Sequence, residues 1–87
     1  MKQKTIATIK GKLNSSIEIF FDSINQVGDI INFNNIINII PSGEDCTQFF
    51  YKIIKFCSCN DDSRAFRIDN IYVSGDKYVV MVSPVRV

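Results

Sequence analysis

The C-terminal third constrains this chain more than any other stretch. Ala65 to Val73 and Lys77 to Val85 are two runs rich in β-branched and aromatic residues, separated by Ser74-Gly75-Asp76. Such runs flanking a glycine-aspartate turn specify a β-hairpin. Pairing Val73 with Tyr78 puts Ile71, Val73, Tyr78, Val80 and Val82 on one face, and Phe66, Ile68, Tyr72, Val79, Met81 and Val85 on the other. Both faces are therefore apolar. An antiparallel sheet with one wet face alternates cleanly between apolar and polar positions, and this one does not. One side takes helices. The other is covered by the chain's own loops and termini, or it is a protein interface, with a second copy or with a docked target. On the second reading Phe66, Ile68, Tyr72 and Met81 are the partner-binding residues.

The rest of the chain must supply the cover. At 87 residues there is room for one domain, residues 1–87, with one core. Lys2 to Leu13 alternates as a strand does: Lys2, Lys4, Thr8, Lys10 and Lys12 share one face, and Thr5, Ala7, Ile9 and Leu13 the other, with Ile6 intruding. Gly11 marks a bulge or a close approach of backbone. Ser15-Ser16-Ile17-Glu18 reads as a capping box opening a first helix, with Ile17, Phe20, Phe21, Ile24 and Val27 as its apolar stripe and Gly28 as its C-cap. Ile30 to Ile40, ending at Pro41, is one long strand or a hairpin folded at Asn34-Asn35. Ser42-Gly43-Glu44-Asp45 caps a second helix whose stripe is Cys46, Phe49, Phe50, Ile53, Ile54 and Cys57. Cys59 to Arg64 is a polar loop. The expected class is α+β: two helices on one face of a four- to five-stranded antiparallel or mixed sheet, ferredoxin-like in shape, in the order βαβαββ or βαββαββ.

Composition narrows the chemistry. The chain has no histidine, so the commonest general base and zinc ligand are missing. Its three cysteines, Cys46, Cys57 and Cys59, are an odd number with no secretory leader before them, which implies reduced thiols in the cytoplasm. Cys46 and Cys57 lie on one helical stripe and read as core. A zinc site would need a carboxylate such as Asp61 or Asp62 as its fourth ligand. Cys46 near a helix start has the position of a nucleophile, but Glu44 and Asp45 beside it disfavour a thiolate. Four scattered glycines make no phosphate loop. No enzyme, metal or cofactor is expected, and no stretch reaches the length of a membrane span.

Nucleic acid is the second reading. Lys2, Lys4, Lys10 and Lys12 on one strand face would follow a phosphate backbone, or would simply guard a sheet edge against aggregation. Phe66, Tyr72 and Tyr78 are stacking candidates by type, without the glycine-phenylalanine surroundings of RNA-binding sheets. The net charge of +1 argues against a strongly nucleic-acid-seeking domain.

Phe33-Asn34-Asn35-Ile36-Ile37-Asn38-Ile39-Ile40-Pro41 resembles the segment that precedes the second helix in YubB-type ferredoxin-like domains, a phage and plasmid family. Here the proline comes after an extra Asn38-Ile39-Ile40, and Phe56-Cys57-Ser58 stands where the family has tryptophan-glycine. The resemblance implies a ferredoxin-like fold and a mobile-element origin, and it brings no catalytic residues. Together these features lead to the expectation of a non-enzymatic protein-binding domain, such as an inhibitor of a bacterial defence system of the anti-CRISPR kind. Its partner would be a host protein or a second copy, met in the host cytoplasm.

Overall fold

Five strands and one helix follow one another as β1 (Lys4–Lys10), β2 (Ser16–Asp22), β3 (Ile30–Asn32), α1 (Cys46–Ser58), β4 (Ala65–Ser74) and β5 (Lys77–Val85). They are seen in a computed structural model that describes residues 4–22, 26–34, 39–41 and 43–85, with the backbone alone for Lys4, Thr5 and Asp22. The strands form a single sheet in the order β2-β1-β5-β4-β3. β1 and β5 run parallel at its centre, and every other neighbouring pair is antiparallel. Two hairpins, β1–β2 and β4–β5, are thus joined side by side, with α1 on one face. The class is α+β, as expected.

The C-terminal hairpin lies where it was expected, with Val73 opposite Tyr78, and β4 runs one residue further than expected, to Ser74. The first helix does not form. Ser16–Asp22 is instead β2, paired with β1 so that Ile17 stands opposite Ile9 and Ile19 opposite Ala7. The reason lies in a second period hidden in the same residues. Ile17, Ile19 and Phe21 alternate, and all three are buried beside Ala7 and Ile9. Burial on a sheet face outweighs the weaker local preference for a cap. Leu13 and Asn14, at φ 57° and 58°, are the central pair of a turn closed by the Ser15 N–H on the Lys12 carbonyl at 3.0 Å. Positive φ at both positions matches the twist of the flanking strands. Leu13, expected on the apolar face of β1, is consequently 82% exposed. Of the remaining stripe, Val27 is exposed, and Ile24 lies outside the described residues.

The strand reading of Ile30 to Ile40 is also too long. β3 ends at Asn32, whose carboxamide oxygen accepts the Asn34 N–H at 2.8 Å and turns the chain. Asn35 to Asn38, where a hairpin would have begun its return, lie outside the described residues. Phe33 leaves the strand to pack against Phe56 and Phe66, with ring centroids 5.7 and 5.2 Å away.

α1 begins where the second helix was expected. Asp45 is its N-cap, accepting the Thr47 and Gln48 N–H groups at 2.8 and 3.1 Å. Glu44 pairs instead with Lys52. The buried stripe is Phe49, Ile53, Phe56 and Cys57. Cys46, Phe50 and Ile54 face away, contrary to expectation. Among the described residues α1 is the only helix, accompanying a five-stranded mixed sheet, and the ferredoxin-like pair of helices is not seen.

Beyond the helix the chain is fastened back to the first hairpin. Asn60 is wholly buried. Its oxygen accepts the Lys12 N–H at 2.7 Å, and its amide donates to the Phe56 carbonyl at 2.7 Å and to Ser15 Oγ at 2.9 Å. Gly11 makes room for it: a Cβ there would stand 2.8 Å from the Asn60 Cγ. Of the two readings of Gly11, this is the close approach.

Candidate protein-binding surface

The two faces of the β4–β5 hairpin are sorted by one extra residue. Ile68 pairs with Val82 and Asn70 with Met81, so Asp69 is a bulge in β4. A bulge shifts alternation by one, and residues before and after it exchange faces. Phe66 and Ile68 therefore join Ile71, Tyr78, Val80 and Val82 on the helix side, although uninterrupted alternation put them opposite. Both are fully buried, and neither is available to a partner. This corrects half of the expected binding set.

Tyr72 and Met81 stay on the other, helix-free face, 44% and 37% exposed. Cross-strand pairing gives that face its rows. Tyr72 stands opposite Val79, Val79 opposite Thr8, and Thr8 opposite Glu18. Asn70, Met81 and Lys10 form the adjoining row. Val79 is buried between its neighbours, so Tyr72 and Met81 frame a small apolar centre. Ile6 and Phe20, opposite each other on β1 and β2 and half-buried, extend it toward the far strand. The sequence reading missed these two because it placed Phe20 on a helix; the alternation of Ile17, Ile19 and Phe21 inward was the signal that would have turned Phe20 outward.

Charges ring the centre in opposite pairs. Lys77 meets Glu18 at 2.6 Å, and Arg67 meets Asp69 at 3.2 Å. Asp69 also accepts the Ser83 hydroxyl, which holds the bulge against β5. Of the lysine stripe, Lys10 is exposed on this face. Lys12 lies past the strand end, its ammonium 3.0 Å from Asp61. Lys4 is in β1 with its side chain outside the described set, and Lys2 lies outside it altogether. Among the described residues the face is thus mixed in charge, not a basic stripe.

The three cysteines are free thiols that differ in burial: Cys57 is buried, Cys59 half-buried and Cys46 exposed. Burial pushes the Cys57 thiol above its ordinary range; Arg64 works against this and Asp62 adds to it. Among the described residues no three His, Cys, Asp or Glu side chains are grouped to hold a metal. A cleft of about 750 Å³ lies by the Asp61–Arg64 loop, where Lys12 and Arg64 are balanced by Asp61 and Asp62. No helix of the described residues is long and apolar enough to cross a membrane. No family model, no curated protein and no solved structure matches the chain.

Proposed function

We propose that this chain is a non-enzymatic protein-binding domain whose partner docks on the helix-free sheet face around Tyr72 and Met81. One observation carries the reading: an aromatic ring and a thioether stand exposed about a buried valine, with paired charges at the rim, and the described residues leave them uncovered. Aromatic and methionine side chains at a desolvated centre, with polar groups around it, are the composition of protein interfaces. The resemblance of the Phe33–Pro41 segment to phage and plasmid domains extends the proposal. The partner is then a host protein, and inhibition of a defence nuclease is the class of action a small non-catalytic chain can perform by occlusion.

The test compares tagged wild-type protein with a Tyr72→Ala/Met81→Ala variant in capture from bacterial lysate, followed by titration of the captured protein. Central interface residues of these types each contribute about 1–2 kcal/mol, so the double variant should bind at least tenfold more weakly while melting within a few degrees of wild type. A Tyr51→Ala/Ile54→Ala variant on the outward side of α1 should bind normally. Equal capture by wild type and the sheet variant, or loss only in the helix variant, would remove the sheet face from the reading.

A further inference from the structure

The strands of the C-terminal hairpin are not equally covered. β5 lies between β1 and β4, so both of its edges are paired. β3 reaches only Ala65–Arg67 of β4, and Gly28 and Asp29 add one bond each at Ile68. From Asn70 to Ser74, β4 has β5 on one side and no backbone partner on the other among the described residues. The far edge of the sheet differs, for there the Phe20 N–H of β2 donates to the Ile39 carbonyl at 2.8 Å.

The turn decides which backbone groups are left. Gly75 is at φ 63°, the one residue of the Ser74–Lys77 turn at positive φ, as in the two-residue hairpin turn that takes glycine first. The flanking Ser74–Lys77 pair is then hydrogen-bonded, and bonded pairs alternate along the strands. Tyr72–Val79 and Asn70–Met81 are bonded in turn. Ile71 and Val73 consequently direct their N–H and C=O groups to the open edge. The stretch Asn70-Ile71-Tyr72-Val73-Ser74 holds no charge and no proline, the usual guards of an exposed edge, and Val73 is 66% exposed.

We propose that a second copy of this chain adds to the Asn70–Ser74 edge, antiparallel about a twofold axis through Tyr72. In that register Ile71 of each copy stands opposite Val73 of the other. Both N–H and both C=O groups of each edge then find partners, and none is left over. An axis through Ile71 would set Val73 against the bulged Asp69, and one through Val73 would set Ile71 against Gly75 of the turn. The side chains agree with the central register: Ile71 meets Val73, Asn70 meets Ser74 and Tyr72 meets Tyr72. Edge addition rests on the backbone of Ile71 and Val73 and outer-face docking on the side chains of Tyr72 and Met81; Tyr72 serves both, so Val73→Pro and Met81→Glu are the changes that let the two readings fail separately.

The experiment is sedimentation velocity of the untagged chain across a concentration series, with amide exchange followed by NMR. A concentration-dependent dimer is expected, with the Ile71 and Val73 amides slowing as it fills. Val73→Pro removes one outward N–H at a position where an edge strand tolerates proline, and should weaken association by at least about tenfold. Tyr72→Lys and Tyr72→Glu should each be monomeric, because like charges meet on the axis; mixed together they should form a one-to-one heterodimer. That recovery requires folded chains, so it decides the matter even if Val73→Pro fails to fold. Met81→Glu should keep the dimer while losing the outer-face partner. A wild type that stays monomeric throughout would overturn the proposal. A dimer that persists in both the proline and the lysine variants would do the same.

Discussion

Asn60 does at one position what a longer core does elsewhere. Helix end and first hairpin meet through its carboxamide, which is fully satisfied by Lys12, Ser15 and Phe56. Asn60→Ala leaves the part-buried Lys12 N–H without its acceptor and the buried Phe56 carbonyl without its donor, and should cost about 1–3 kcal/mol, the usual penalty for orphaned polar groups. Gly11→Ala should cost a similar amount, on the order of 2 kcal/mol, because the new methyl group overlaps that carboxamide. The informative measurement is the cycle. With alanine already at 60, the Gly11→Ala change should lose most of its penalty, which urea unfolding of the four proteins would show; strict additivity would mean that the two residues do not meet. The sequence marked Gly11 as a special position but not its cause. Its partner lies 48 residues beyond Lys12, and no local pattern joins them.

At the scale of elements, legibility followed how many local signals agreed. The β4–β5 hairpin could be located, and its turn-proximal register from Val73–Tyr78 to Ile71–Val80 read, because alternation, β-branched content and a Gly-Asp turn all point one way. The presence of α1 was legible too, from its apolar spacing and the acidic run before it, although the cap is Asp45 and not the Ser42 hydroxyl that a capping box would use. β2 was not, because Ser15-Ser16-Ile17-Glu18 imitates a cap and Ile17, Phe20 and Phe21 fit a helical stripe, while Leu13-Asn14 is not a sequence that announces a hairpin. The misplaced half of the candidate surface, Phe66 and Ile68, traces to the single extra residue Asp69, which nothing in the local sequence announces. The Leu13-Asn14 turn is testable in itself. A bulky residue at positive φ carries a penalty of roughly 1–2 kcal/mol. Replacing the pair with Asn-Gly should therefore raise the unfolding free energy by about 1 kcal/mol or more. If Ser16–Asp22 were helical instead, the same change would give no such gain, and circular dichroism with chemical denaturation distinguishes the outcomes.

The whole molecule bears on the nucleic-acid reading more directly than any one lysine does. Its central parallel pair, β1 with β5, brings the first and last strands together, and so sets Lys10 beside Met81 of the C-terminal hairpin. Lys77 is engaged by Glu18, Arg67 by Asp69, Lys12 by Asp61 and Lys52 by Glu44. A formal charge of +1 spread in this way gives little field to gather a polyanion. Labelled single- and double-stranded DNA and RNA should therefore give flat anisotropy titrations at physiological salt. Four phosphate contacts, as the alternation of Lys2, Lys4, Lys10 and Lys12 suggested, would have produced a log–log salt slope of about −3.6 on duplex DNA. Lys10 and Lys12 alone would give about −1.8. Micromolar affinity with either slope, abolished by alanine at the lysines, would make phosphate contact the function of the β1 face. Affinity that survived those changes but fell with Tyr72→Ala would point to base stacking on the sheet. Either result would displace the protein-binding account, because the same exposed tyrosine and the same face cannot be closed by a protein partner while they hold a nucleic acid.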